Sequence, residues 1–153
     1  MKRLSVWVAA ISFGAMGVSA HRSSPPQPTS DEHKRVIAPP GPKPVGPYSP
    51  GIMAGDFLYV SGQGARDRDG RLPETVEAQV RQTLENVKTI VEAAGLTLEH
   101  VVYSQVYLAS ISSAETMERL WREYFPKQPP ARAVLGVHRM PTDTPVGING
   151  PNS

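Results

Sequence analysis

The chemistry open to this chain is narrowed first by what it lacks. None of its 153 residues is cysteine, which excludes thiolate catalysis and disulfides. Its histidines, His21, His33, His100 and His138, form no ligand-spaced pair on any predicted helix or hairpin, so neither a metal centre nor any other cofactor is expected. Arg132 stands in Pro130-Ala131-Arg132-Ala133-Val134, where Pro130 restricts the backbone leading to it. A planar guanidinium offers paired donors to both oxygens of a carboxylate and stays charged at any relevant pH. The plainer reading of Arg132 is a salt bridge at a surface or an interface. Glu118, farther upstream, reads as solvated helix surface, and Asp143 belongs to a turn.

Elements able to hold such groups begin at Pro44. Gly51 to Ala54 and Phe57 to Val60 form a predicted hairpin turned near Gly55-Asp56, and Asp67 to Pro73 is a turn-rich loop. Val76, Val80, Leu84, Val87, Val91 and Ala94 then recur at spacings of three and four, an amphipathic helix of about five turns stopped by Gly95. Its other face, Glu77, Arg81, Glu85, Lys88 and Glu92, reads as solvated surface. Val101 to Leu108 has strong β-propensity. Ser112-Ser113-Ala114-Glu115 reads as a capping box opening a second helix with Met117, Leu120, Trp121 and Tyr124 as its buried stripe. Pro126, Pro129 and Pro130 end that helix. Ala133 to Val137 and a short Val146 to Ile148 complete an α+β domain of order ββαβαββ, with both helices on one face of a single sheet. The other face then needs cover, which predicts oligomerisation.

The N-terminal third reads differently. Lys2 and Arg3 precede an apolar run from Leu4 to Val18, and Val18-Ser19-Ala20 supplies small residues for cleavage before His21. Residues 1–20 are thus expected to be a signal peptide and the protein secreted or periplasmic, with no stable membrane span after cleavage. An uncleaved anchor or a buried core helix is the other reading, although roughly 20 apolar residues are the norm for a span. Residues 21–43 read as a disordered tether, since nine of the 16 prolines fall between Pro25 and Pro50. Removing Lys2 and Arg3 leaves 14 basic residues against 14 acidic, with no basic stripe, and no nucleic-acid partner is expected.

Several short stretches occur together, in order, between Pro44 and Gly150. They are Gly46-Pro47-Tyr48-Ser49, Ser61-Gly62-Gln63, Gln79 to Asn86 with Val87 to Gly95, Tyr124-Phe125, Pro130-Ala131-Arg132 and Met140-Pro141. In them the chain resembles the Rid (reactive intermediate deaminase, RidA-like) family, over residues 44–153. The resemblance implies a chorismate-mutase-like fold, a homotrimer whose sheets form a central barrel, and ligand sites in clefts between subunits. It implies hydrolysis of 2-imino or enamine acids to 2-oxo acids and ammonia. Arg132 matches the residue that grips the substrate carboxylate, and the backbone at Ala133 and Val134 would add a donor. Tyr48 matches the aromatic that closes over the pocket, and Ser61 borders it; ordinary strand-end packing is the alternative for both.

The departures are specific. Aligning Met140-Pro141-Thr142-Asp143 with the family's Leu-Pro-x-Asp places Gly147 where the catalytic glutamate stands. Glycine can neither orient nor deprotonate a water, and losing a general base typically costs about 10²–10⁴-fold. Glu118 stands at a family asparagine and Trp121 at a tyrosine. Two expectations result: a weak imine deaminase, or a non-enzymatic trimeric module that binds small carboxylates through Arg132. The nuclease label that some family members carry fits poorly with a neutral mature chain lacking a His or Lys constellation.

Overall fold

The computed structural model describes residues 34–40 and 44–152. Eight elements follow in chain order: β1 (Lys34–Ile37), β2 (Gly51–Ala54), β3 (Phe57–Gln63), α1 (Val76–Ala93), β4 (Tyr103–Leu108), α2 (Ala114–Tyr124), β5 (Ala131–Gly136) and β6 (Val146–Asn152). They form one six-stranded sheet of order β1-β2-β3-β6-β4-β5. Only β4 and β5, joined through α2, run parallel. The remaining pairs are antiparallel.

The period of two along the strands decides which side is core. In β4, Ser104, Val106 and Leu108 are buried while Tyr103, Gln105 and Tyr107 alternate with them on the opposite face. Leu58 and Val60 of β3 and Val146 and Ile148 of β6 join the buried set. Against it α1 lays Val80, Leu84, Val87, Ile90 and Val91, and α2 lays Met117, Leu120 and Trp121. Both helices thus cover one face, as the α+β expectation has it. The opposite face carries Phe57, Tyr59, Tyr103, Gln105 and Tyr107, and Tyr59 remains 51% exposed.

The helix termini and the tight turn follow local chemistry. Thr75 caps α1 by accepting from the Ala78 N–H at 3.2 Å. Gly95 takes φ +86°, and the Leu96 N–H reaches back to the Val91 carbonyl at 3.2 Å, so the last turn closes on itself. Gly55, at φ +57°, makes the β2–β3 turn.

Four expectations are corrected. First, β1 lies inside the stretch read as a tether. It pairs with β2 from Lys34↔Ala54 to Ile37↔Gly51, and Ile37 enters the core. The other tether residues, 21–33 and 41–43, and the signal peptide at 1–20 lie outside the described residues. Second, Val76 is exposed at the start of α1 and Ile90 takes a core place instead. Ile90 packs on Gly51, where an added Cβ would stand 2.8 Å from its Cγ2. Third, the capping box at Ser112 to Glu115 is not formed. A 3₁₀ turn, Ile111–Ser113, runs directly into α2, so Ser113 is already helical and its side chain makes no cap bond. Fourth, β6 is not a short final strand but a seven-residue central one. Gly150-Pro151 reads locally as a breaker, yet β4 pairs only with Val146 to Asn149, so Pro151 falls where β6 has β3 alone beside it.

The charged face of α1 is solvated as expected and also ties the two helices together. Arg81 reaches Glu123 at 3.0 Å, Arg119 reaches Glu77 at 2.7 Å, and the Tyr124 hydroxyl donates to Glu85 at 2.5 Å, clasping α1 to α2.

Candidate functional site

One group of candidate residues converges on a cleft of about 1210 Å³ at the end of the sheet. Tyr48, Ser61 and Gly147 all line it, as do Gln63, Tyr107 and Met140. Ser61 is placed by a bulge: Val60 opposes Gly150 while Gln63 opposes Ile148, so β3 carries one residue more than β6 across this interval. Ser61 is both cleft lining and strand-end packing. Its hydroxyl donates to the Ser49 carbonyl at 2.6 Å and its N–H to the Pro50 carbonyl at 2.9 Å. Those bonds hold the Gly46-to-Pro50 segment against the sheet and leave Tyr48 half-exposed over the opening.

The rim is a hydrogen-bonded scaffold. Asn86 on α1 donates to the carbonyls of Gly64 (2.9 Å) and Arg66 (2.8 Å), and accepts from Gln82 at 2.8 Å. The Ala65 N–H donates to the Thr144 hydroxyl at 2.9 Å, which itself donates to the Val146 carbonyl at 3.0 Å. Arg66 donates to the Gly70 and Thr142 carbonyls. Asn86 and Thr144 are therefore positioning residues that reading the sequence missed. Asn86 was visible only as the end of a motif, and Thr144 had no local signal at all.

Gly147 sits on the cleft face of β6, between buried Val146 and Ile148. A Cβ there would meet Met140 Sδ at 3.1 Å, the Gln63 carbonyl at 3.7 Å and Tyr107 Cβ at 3.9 Å. The only tight neighbour is thus a flexible thioether. No carboxylate is offered at this point of the cleft. Asp143 is exposed and bonded to Arg139 at 2.9 Å, away from Gly147.

Arg132 is not in the cleft, and neither are Ala133 and Val134. On β5 Arg132 pairs in register with Ser104, and Val134 with Val106, which puts both on the helix-covered side of the sheet. There the guanidinium stacks over Trp121, 4.6 Å from the ring centroid, beside Met117 Sδ at 3.6 Å. Its Nη2 donates to Glu118 Oε1 in an ion pair. Glu118 is therefore not plain solvated surface: its side chain is 38% exposed and that of Arg132 only 17%. Trp121 is in turn held by Phe125, with ring centroids 4.5 Å apart.

The backbone donor expected near Arg132 survives in part. The Ala131 N–H bonds to the Val102 carbonyl and the Val137 N–H to the Leu108 carbonyl, so odd-numbered amides of β5 face β4. The even-numbered ones, Arg132 and Val134, face the open edge of the sheet; Ala133 does not.

The candidate residues thus fall in two groups: Gly147 of β6 lies on the face opposite Arg132, in a cleft that α1 also lines through Gln82, Asn86, Thr89 and Ile90. The first is the cleft where Tyr48, Ser61 and Gly147 meet, its rim carrying Arg66, Asp67, Arg68, Asp69 and Arg139. The second is a charged slot, Arg132 with Glu118 and Trp121. Among the described residues no three His, Cys, Asp or Glu side chains gather as metal ligands do.

Comparison with known proteins agrees with this architecture. The family profile described as Endoribonuclease L-PSP matches residues 39–150. A RutC family protein of Saccharolobus solfataricus is 41% identical over 109 residues, spanning 70% of this chain and 86% of that protein. The 2-iminobutanoate/2-iminopropanoate deaminase of Escherichia coli K12 is 34% identical over 119 residues, spanning 75% of this chain and 93% of the enzyme. The crystal structure of E. coli TdcF with bound serine superposes with a TM-score of 0.74 at 29% identity, covering 77% of this chain and 97% of that one. With its fold matched and most of its length covered, this chain belongs to the Rid, or L-PSP, family.

Proposed function

We propose that this protein hydrolyses 2-imino and enamine acids to 2-oxo acids and ammonia, weakly, in clefts formed between subunits of a homotrimer. The observation that carries the reading is the split site. Arg132 lies on the helix-covered face and outside the cleft that Tyr48, Ser61 and Gly147 line, which favours a site completed by a second chain. A neighbouring chain that packs on the uncovered face, over Tyr59, Tyr103 and Tyr107, supplies the complement and removes those aromatics from water. The similarity to an iminobutanoate/iminopropanoate deaminase, and to a protein crystallised with serine, supports a small carboxylate as ligand. Arg132 takes that carboxylate by paired hydrogen bonds, with the edge N–H of Val134 as an added donor. Tyr48 closes over the bound molecule.

Turnover is expected to be weak because Gly147 itself offers no base at its point of the cleft. A second reading is favoured by the same glycine: a trimeric module that binds 2-oxo acids or other small carboxylates through Arg132 without turning them over. The residues at 1–20 support export, and a secreted or periplasmic protein would meet few enamines made by cytoplasmic enzymes. The balanced charge of the chain after those residues gives no support to a nucleic-acid partner.

The test is imine hydrolysis, with imines generated in situ from several amino acids by an oxidase. Wild type accelerating 2-oxo acid release, and Arg132→Ala abolishing it, supports the enzyme. An inert wild type that gains activity on Gly147→Glu supports the binding module. A protein that sediments as a monomer at micromolar concentration contradicts both.

A further inference from the structure

We infer that Glu118 is the base that replaces the carboxylate missing at Gly147, and that the substrate itself releases it. This rests on the hydrolase reading above. Glu118 is the ion partner of Arg132 among the described residues, reaching it from the second turn of α2. Glu115 is exposed one turn earlier in α2, and Glu123 is engaged by Arg81 and Arg119. The guanidinium is held by its stack on Trp121 as well as by its ion pair with Glu118. Among the described residues its remaining donors face nothing stronger than the Met117 thioether at 3.6 Å, a weak acceptor that an anion displaces. The carboxylate of Glu118 is reachable by solvent, whereas Arg132 is largely covered.

A substrate carboxylate that docks on those free donors therefore lands beside Glu118 on the same guanidinium. Its imino carbon, one bond beyond the carboxylate carbon, then lies on the side where Glu118 holds water. Sharing Arg132 between two anions weakens the hold on Glu118 and turns its second oxygen to that water. Glu118 takes one proton from the water as its oxygen bonds to the iminium carbon, and the C=N electron pair moves onto nitrogen. The protonated Glu118 returns that proton to nitrogen. The C–N bond breaks as the carbinol oxygen loses its own proton to the departing ammonia. The products are a 2-oxo acid and ammonium, with water the only co-reactant.

The pairing also has a bland consequence: Glu118 could act only as a gate that keeps carboxylates off Arg132. The two roles diverge in kinetics. Glu118→Gln keeps an oxygen for the Arg132 hydrogen bond, and a thermal melt checks that the fold is kept. As a base, its loss lowers kcat by about 10²–10⁴-fold with KM unchanged or lower. The fall of kcat/KM on the acid side of the pH profile disappears with it, and Glu118→Asp retains part of the rate. Glu118→Ala recovers activity with added formate. The inference is overturned if Glu118→Gln keeps the wild-type kcat and pH profile, or if it only lowers KM, which is the behaviour of a gate. A wild type inert toward every imine removes the hydrolase reading and this inference together; an active wild type with an active Glu118→Gln removes this one alone.

Discussion

The cleft and the Arg132 slot are built by different physics. The cleft is made of backbone: a bulge at Ser61-Gly62, a strap held by the Ser61 hydroxyl, and loop carbonyls gathered by Asn86. It keeps the shape of a ligand site while offering no charge at Gly147. The slot is made of side chains, an arginine clamped between an indole face and a carboxylate. The arginine slot and the backbone-built cleft stand apart in one chain. A change in one leaves the contacts of the other in place: Glu118 and Arg132 are outside the cleft lining, and Gly147 is outside the slot.

Removing the arginine of the slot should have the largest effect. Arg132→Ala is expected to lower kcat/KM by about 10²–10³-fold, the scale of losing one hydrogen-bonded charge partner. Steady-state kinetics of 2-oxo acid release measure it, and unchanged kinetics would leave the slot without a role. Adding a carboxylate to the cleft at Gly147 comes next. Gly147→Glu should raise kcat by about 10²-fold, the lower end of general-base catalysis. The backbone there has no positive φ, and Met140 Sδ need give only slightly to admit the side chain.

Two smaller changes test the scaffolds. Asn86→Ala strands the carbonyls of Gly64 and Arg66 and should cost about 1 kcal/mol in urea unfolding. It should also raise KM, because the loop that shapes the cleft loosens, whereas the slot is untouched. The smallest effect concerns the helix clasp. The Tyr124 phenol is pushed from 10.0 up to about 12, mainly by burial and then by its bond to Glu85. Folding therefore favours the neutral phenol, whose contribution is full below pH 10 and is lost as pH rises through about 12. The stability gap between wild type and Tyr124→Phe should narrow over that window; a gap that widens would contradict the assignment.

Much of the frame was legible in the chain. The 3.6-residue recurrence from Val80 to Val91 marked α1 and its buried face, and Gly95 marked its end, because both signals are local. β1 was hidden among prolines, since Lys34-Arg35-Val36-Ile37 becomes a strand only through pairing with β2. The full length of β6 was hidden in the same way by Gly150-Pro151. The site was legible as residue types, not as geometry. Arg132 and Gly147 could be singled out by their motifs. The Arg132–Glu118 pair could not, because it depends on the β4–β5 register and on which side of α2 meets β5. Nor does a one-dimensional motif say that Gly147 and Arg132 fall on opposite faces of a sheet.

The central claim, that a working site joins the cleft of one chain to the slot of another, is tested most directly with hybrid oligomers. Arg132→Ala destroys the slot. Gly62→Trp fills the cleft, where a side chain on Gly62 meets nothing within 4 Å. Each variant alone should be inactive toward imines while still sedimenting as an oligomer. Unfolded and refolded together, they should recover activity, because some interfaces then pair an intact cleft with an intact slot. A mixture as inactive as its components would mean that each chain carries its whole site, and would contradict the account.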